Sequence, residues 1–169
     1  RQIDNAAQYK VNTLHLHLSD DQGWRLELKN YPQLTQIGGS QVIDDLYASG
    51  DFGSLAKGSA AYYKAATGPA GSITGFYTQD QFKDIVAYAQ ARYMQIVPEF
   101  DVPSHTNALL STYGFLNPNG QPKSESGSTA SNLPALPYTG NGVGFNTLTS
   151  NNPATMAFLD DLFAEVTAM

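Results

Sequence analysis

The sequence predicts an α/β protein, a slice of a (β/α)8 TIM barrel, and three observations predict it. Helical and strand-like patterns alternate along the chain in the order helix, strand, long loop, helix, strand, long loop, helix. Such alternation implies parallel strands joined by helical crossovers. The strongest strands, 13–18 and 94–101, cannot bury themselves as a pair. Each is followed by a long loop, on the side where a barrel of this kind carries its chemistry. The whole of residues 1–169 reads as one segment of one domain. RQIDNAAQYK opens it without a capping residue and AFLDDLFAEVTAM closes it without a C-cap glycine, so both ends are expected to be truncated.

The elements follow in order. Ile3, Ala6, Ala7 and Lys10 repeat at i, i+3, i+4, i+7 and predict a short helix over 2–10. Asn12 ends it. In the stretch Val11 to Trp24, reading VNTLHLHLSDDQGW, alternation places His15 and His17 on the face opposite Leu14, Leu16 and Leu18. Residues 25–29, RLELK, alternate as a short strand or extended arm, and Tyr31-Pro32 stops it. Residues 38–75 are punctuated by glycines and read as loop. Helix 78–92 is the clearest: Thr78 is an N-cap, Gln81 completes a capping box, and Phe82, Ile85, Val86, Ala89 and Tyr93 form one apolar stripe. The strand MQIVPEFD follows over 94–101. Residues 103–151 read as a second long loop, rich in Pro, Gly, Ser and Asn. A last helix covers 153–169, with Asn152 as its cap, Pro153 at its first position, and Met156, Leu159, Leu162, Phe163 and Val166 facing a core.

Composition narrows the function. The chain has 169 residues and is 41% hydrophobic, enough for one domain with a real core. A formal charge of −6 and a pI near 4.8 argue against nucleic acid, which needs basic patches. No apolar run reaches the length of about 18 residues that spans a membrane. Zero cysteines exclude disulfides, zinc–thiolate sites and thiol chemistry. Ten Tyr, fifteen Gly and only 14% charged residues point to a secreted or periplasmic setting.

The residues fit for chemistry fall at the ends of the two strands. The first group is His15, His17, Asp20 and Asp21; the second is Glu99, Asp101 and His105, in IVPEFDVPSHT. Glu99 and Asp101 share a strand face, and Phe100 and Val102 point the other way, toward covering helices. If the strands are neighbours, Asp20 and His105 sit at adjacent strand ends, near hydrogen-bonding distance. A carboxylate there raises a histidine's pKa and fixes its tautomer. Such a couple can tune a third group, for example a catalytic carboxylic acid. Each residue also has a structural alternative. His15 and His17 fit interior positions bonded to neighbours, Asp21 a turn cap, Glu99 a structural carboxylate paired with an arginine, and Trp24 a packing role. Tyr62, Tyr63, Tyr113 and Tyr138 are loop aromatics available to a carbohydrate subsite. A His15-x-His17 pair also leaves open a metal-dependent barrel hydrolase.

HLHLSDDQGWRLELKNYPQLTQIGG closely resembles the second-strand segment of the family 20 glycoside hydrolases, the β-N-acetylhexosaminidases. IVPEFDVPSHTNALLSTYGFLNP resembles their third-strand segment, and FYTQDQFKDIVAYAQARYMQIVPEFD the helix leading into it. Ser104 departs from the family's usual glycine. The resemblance implies a (β/α)8 barrel, here strands two to three with flanking helices. It implies release of terminal N-acetylglucosamine or N-acetylgalactosamine from chitooligosaccharides and glycoconjugates, by a retaining mechanism in which the substrate's acetamido oxygen attacks. No metal or cofactor is implied. Asp20 and His105 look like the pair that relays to the catalytic glutamate, and Asp101 like the active-site aspartate of the third strand. His17 and Glu99 are supporting positions. The family's Asp-Glu pair lies on its fourth strand, and no Asp-Glu dipeptide occurs here. The remainder of the barrel is therefore an expected partner, and these residues alone are expected to be inactive. A non-catalytic carbohydrate-binding module is the other alternative.

Overall fold

The computed structural model describes residues 1–42, 72–117 and 147–169. Its centre is a parallel pair, β1 (Thr13–His17) and β6 (Gln95–Glu99), in register from Thr13 opposite Gln95 to His17 opposite Glu99. The pairing runs one residue further, because Leu18 N–H donates to the Glu99 carbonyl at 2.9 Å. Parallel neighbours need a crossover. Helix α3 (Gln79–Gln90) lies in the connection, and the fold is α/β as the alternation requires.

The two faces of the pair differ as the sequence alternates. Leu14, Leu16, Leu18 and Ile96 pack under helices. Ile3 of α1 (Gln2–Gln8), with Ala89 and Met94, meets Leu14 and Ile96, while Phe82 of α3 meets Leu18 and Leu26. Burying a leucine or phenylalanine side chain stabilises by about 1.5–3 kcal/mol, so this face fixes the register of β1. On the opposite face the side chains of His15 and His17 remain 59% and 49% exposed.

Helix α3 begins where its capping box dictates. Thr78 Oγ1 accepts from Gln81 N–H at 3.1 Å, and Gln81 Oε1 accepts from Thr78 N–H at 3.0 Å. Such a cap stabilises by about 1 kcal/mol. The helix ends earlier than its apolar stripe suggests. Tyr93 lies beyond it with φ of 59° and is almost fully exposed. The strand that follows is also shorter than 94–101, since pairing stops at Glu99.

A short antiparallel turn, β2 (Ser19–Asp20) against β3 (Gly23–Trp24), follows β1. At Gly23 a Cβ would stand 2.3 Å from the Arg25 guanidinium, so a side chain there would displace Arg25 from its present position. RLELK is an extended arm rather than a strand. It makes one parallel bridge, Leu26 to Tyr77, and buries Leu26 and Leu28 completely. Trp24 is a packing residue: it is 1% exposed, stacks on Phe100 at 5.3 Å and donates its indole N–H to the Leu26 carbonyl. The stretch 38–75 is not loop throughout. After α2 (Gln33–Gln36), β4 (Ser40–Val42) and β5 (Ser72–Thr74) form an antiparallel ribbon. Arg25 ties its base together, donating to the carbonyls of Gly39 at 2.6 Å and Gly75 at 3.1 Å.

The second expected loop also contains structure. Helix α4 (Asn107–Thr112) is buried at every position, and a single 3-10 turn, Gly114–Leu116, follows it. Leu109, Leu110 and Leu116 join Trp24, Leu28, Leu34, Phe158 and Leu162 in the largest core cluster, against which Phe100 and Val102 pack. Helix α5 (Pro153–Thr167) starts as expected, with Asn152 Oδ1 accepting from Ala154 N–H. Its core face is the expected one in part: Leu162 is buried and Leu159 and Val166 pack against the core, but Phe158 is buried where Met156 and Phe163 were expected, and those two are more than half exposed. Two carboxylates of α5 hold the arm. Glu165 accepts from the N–H groups of Lys29 and Asn30 and from Gln79 Nε2, and Asp161 accepts from Tyr31 at 2.8 Å. Burial, then the Asp161 carboxylate, push the Tyr31 hydroxyl up to about 12. No described helix is long and apolar enough to cross a membrane.

Candidate active site at the strand ends

The register of β1 and β6 places His17 beside Glu99, and the turn after β1 folds Asp20 back toward both. His17 Nδ1 lies 2.6 Å from Glu99 Oε1, and His17 Nε2 lies 3.2 Å from Asp20 Oδ2. The other oxygen of Asp20, Oδ1, accepts from Asp21 N–H at 2.6 Å and stands 3.3 Å from His105 Nδ1. The result is a continuous line of contacts, Glu99 to His17 to Asp20 to His105. His15 Nε2 closes on the free oxygen of Glu99 at 2.5 Å.

The electrostatics follow from the partners. Ionised carboxylates only accept, so a ring nitrogen facing one must carry a proton. Both nitrogens of His17 face carboxylates, which favours the imidazolium. The Glu99 hydrogen bond raises the His17 pKa above its ordinary value, against the opposing effect of burial, with further upward contributions from Asp20 and Asp101. Reciprocally, the His17 hydrogen bond holds Glu99 below the usual carboxylate value, and the charges of His15 and His17 act in the same direction.

His105 reaches Asp20 through a turn. The Val102–Pro103 peptide is cis, and His105 itself has φ of 54°, the left-handed region. That region is uncommon outside glycine and needs surroundings that hold it. Asp101 lies just past β6. Its N–H donates to Ser19 Oγ at 3.0 Å. One donor atom each of His17, Asp20 and Asp101 lie within 4.8 Å of one another, as do those of Asp20, Asp21 and His105. These trios have the chemistry of a cation site, but His15 belongs to neither. In the first, His17 and Asp20 already bond to each other.

Of the residues expected from the sequence, Asp20, His105, His17 and Glu99 stand in one line and Asp101 stands beside it. Glu99 pairs with histidines rather than an arginine. Asp21 was expected to cap a local turn. It is completely buried, and Oδ1 accepts from Asn107 N–H at 2.9 Å, at the start of α4. Ser19, also buried, was not anticipated. Nothing local signals either contact, since both partners lie more than eighty residues away. Tyr113 is a packing residue, its ring against Tyr31 at 5.6 Å and its hydroxyl accepting from Gln33 N–H. Tyr62, Tyr63 and Tyr138 lie outside the described residues.

A parallel strand pair that ends in alternating carboxylates and imidazoles defines an α/β protein with an acid–base site at its strand ends. The family is defined by the whole chain: residues 1–169 match the glycosyl hydrolase family 20 catalytic domain, and the chain belongs to that family. It is similar to a beta-N-acetylhexosaminidase of Cellulomonas fimi, 37% identical over 163 residues, which are 96% of this chain and 25% of that protein. It is also similar to the N,N'-diacetylchitobiase of Vibrio harveyi, 37% identical over 108 residues, or 64% of this chain and 11% of that one. Among solved structures, the GH20 beta-N-acetylhexosaminidase of Streptomyces coelicolor A3(2) superposes with a TM-score of 0.70 at 36% identity, covering 99% of this chain and 26% of that one. A mutant beta-hexosaminidase of Streptomyces plicatus, solved with its product GlcNAc, matches with the same TM-score, identity and coverage. The chain thus spans about a quarter of the length of the Cellulomonas fimi relative and of both Streptomyces structures.

Proposed function

We propose that these residues form one sector of a (β/α)8 β-N-acetylhexosaminidase, with β1 and β6 as its second and third strands. The enzyme removes terminal β-linked N-acetylglucosamine or N-acetylgalactosamine from chitooligosaccharides or glycoconjugates, with retention and with the substrate's acetamido group as nucleophile. The observation that carries the reading is the 3.3 Å contact between Asp20 and His105 at adjacent strand ends. A chitobiase among the relatives and GlcNAc bound by a structural neighbour support the substrate class.

In this reading the general acid/base is a glutamate outside these 169 residues, consistent with the absence of an Asp-Glu pair from the sequence. Asp20 holds His105 in the tautomer with Nδ1 protonated, which leaves Nε2 to face the acid. His17 and Glu99 supply the charge behind Asp20, and Asp101 faces the sugar. The exposed histidine face of β1 and β6 packs against the remainder of the barrel. The mechanism invokes no metal or cofactor.

A chromogenic N-acetyl-β-glucosaminide tests this. The full-length enzyme is expected to turn it over, with or without a chelator, and residues 1–169 alone are not. His105→Ala in the full-length enzyme is expected to lower the rate and shift the acid limb of the pH profile. Turnover by the isolated residues, or an unchanged pH profile in the variant, overturns the reading.

A further inference from the structure

We propose that Asp21 is a positioning residue that locks His105 against Asp20; the inference rests on the role given to His105 above. Asp21 is 0% exposed, and a buried carboxylate is costly unless hydrogen bonds compensate it. Its Oδ1 accepts from Asn107 N–H at 2.9 Å, a donor 86 residues away, in the first residue of α4. That N–H belongs to the group at a helix start that lacks an intrahelical partner. Asp21 thereby ties the turn after β1 to the turn after β6.

His105 is two residues before that anchor. It carries a left-handed φ of 54°, and the anchor limits its relaxation. Asp21 Oδ2 is 4.0 Å from His105 Nδ1, too far for a hydrogen bond, so it does not compete with Asp20 for the proton. On the other side, the Asp21 backbone N–H fixes Asp20 Oδ1 at 2.6 Å. One residue therefore holds both ends of the Asp20–His105 contact, through its main chain at one end and its side chain at the other. A side-chain truncation leaves the main-chain contact to Asp20 in place and removes the contact to Asn107 at the His105 end. Among the described residues, the titratable groups around His105 are Asp20 and Asp21, with His17 and Asp101 behind Asp20.

The test uses the full-length enzyme labelled with 15N-histidine, with the His105 Nδ1–H resonance assigned by His105→Gln. Asp21→Ala is expected to abolish that resonance. It should lower kcat about 10- to 100-fold with KM within about threefold, as for an ångström-scale misplacement of a catalytic group. Asp21→Ser, whose hydroxyl does not span to Asn107, is read in its place if Asp21→Ala does not fold. Asp21→Asn keeps a carbonyl acceptor for Asn107 N–H and is expected to restore both resonance and kcat. A resonance and kcat that survive in the short variant, or that are lost in Asp21→Asn as well, overturn the clamp. If the unmodified enzyme turns over no hexosaminide, the functional reading fails, and the resonance alone decides the role of Asp21.

Discussion

Asp20→Asn in the full-length enzyme changes one atom of the strand-end line and disturbs three contacts. Asp20 accepts from Asp21 N–H at 2.6 Å and His105 Nδ1 at 3.3 Å on one oxygen, and from His17 Nε2 at 3.2 Å on the other. An amide has one acceptor oxygen. Two donors, including the shortest, claim the Oδ1 position, so the NH2 group must face His17 Nε2. His17 then loses one of its two carboxylates, and donor meets donor unless the imidazole gives up its proton. His105 keeps an oxygen but loses the charge on it. The difference between a charge-assisted and a neutral hydrogen bond is about 1–1.5 kcal/mol. The Asp20 side chain is one-quarter exposed, so screening trims this only modestly. If His105 acts on the reaction through this contact, kcat/KM falls about tenfold, at 1.4 kcal/mol per decade. The assay is initial-rate hydrolysis of a chromogenic N-acetyl-β-glucosaminide, with the fold of the variant checked by its thermal transition. A variant within about twofold of the unmodified enzyme refutes the argument.

Glu99→Gln tests the other end of the line through stability. Glu99 is held below its ordinary value of 4.5, so its contribution is present above that pH and is lost as pH falls through its lower folded value. His17 is raised above 6.5, so its contribution is present below that pH and is lost as pH rises through its raised folded value. The difference in Tm between the enzyme and Glu99→Gln is therefore expected to be largest between about pH 4.5 and 6.5, and a flat difference from pH 3 to 9 refutes the pairing. Glu165→Ala frees the N–H groups of Lys29 and Asn30 and the amide of Gln79. Denaturant unfolding should show a loss of about 2–3 kcal/mol, typical of removing a charged acceptor from several donors, whereas a loss below about 0.5 kcal/mol would mean that water replaces it freely.

The sequence was most readable where a local rule acts alone. Thr78 with Gln81, and Asn152 with Pro153, placed the starts of α3 and α5 because a cap is decided within four residues. Alternation separated His15 and His17 from Leu14, Leu16 and Leu18 for the same reason. The stripe at Tyr93 failed because the chain turns into the left-handed region there and leaves the helix face. Leu159, Leu162 and Val166 face the core as expected, but Met156 and Phe163 do not, and the packing partner selects Phe158 instead, a choice that periodicity alone does not determine. Helix α4 was hidden within a Pro- and Gly-rich stretch because six residues carry little periodicity. Its stability comes from burial against Trp24 and Phe158. In the site, the strand-end pair Asp20 and His105 was legible from the order of elements. The anchoring of His105 by Asp21 was not, because it depends on two distant turns meeting in space.

In the proposed function, Asp20 and His105 act as one unit on the acid of a β-N-acetylhexosaminidase. A double-mutant cycle in the full-length enzyme tests it most directly. If Asp20 works only through His105, adding Asp20→Asn to His105→Ala should lower kcat/KM by no more than about twofold, although Asp20→Asn alone lowers it about tenfold. Independent effects that multiply in the double variant would contradict the account.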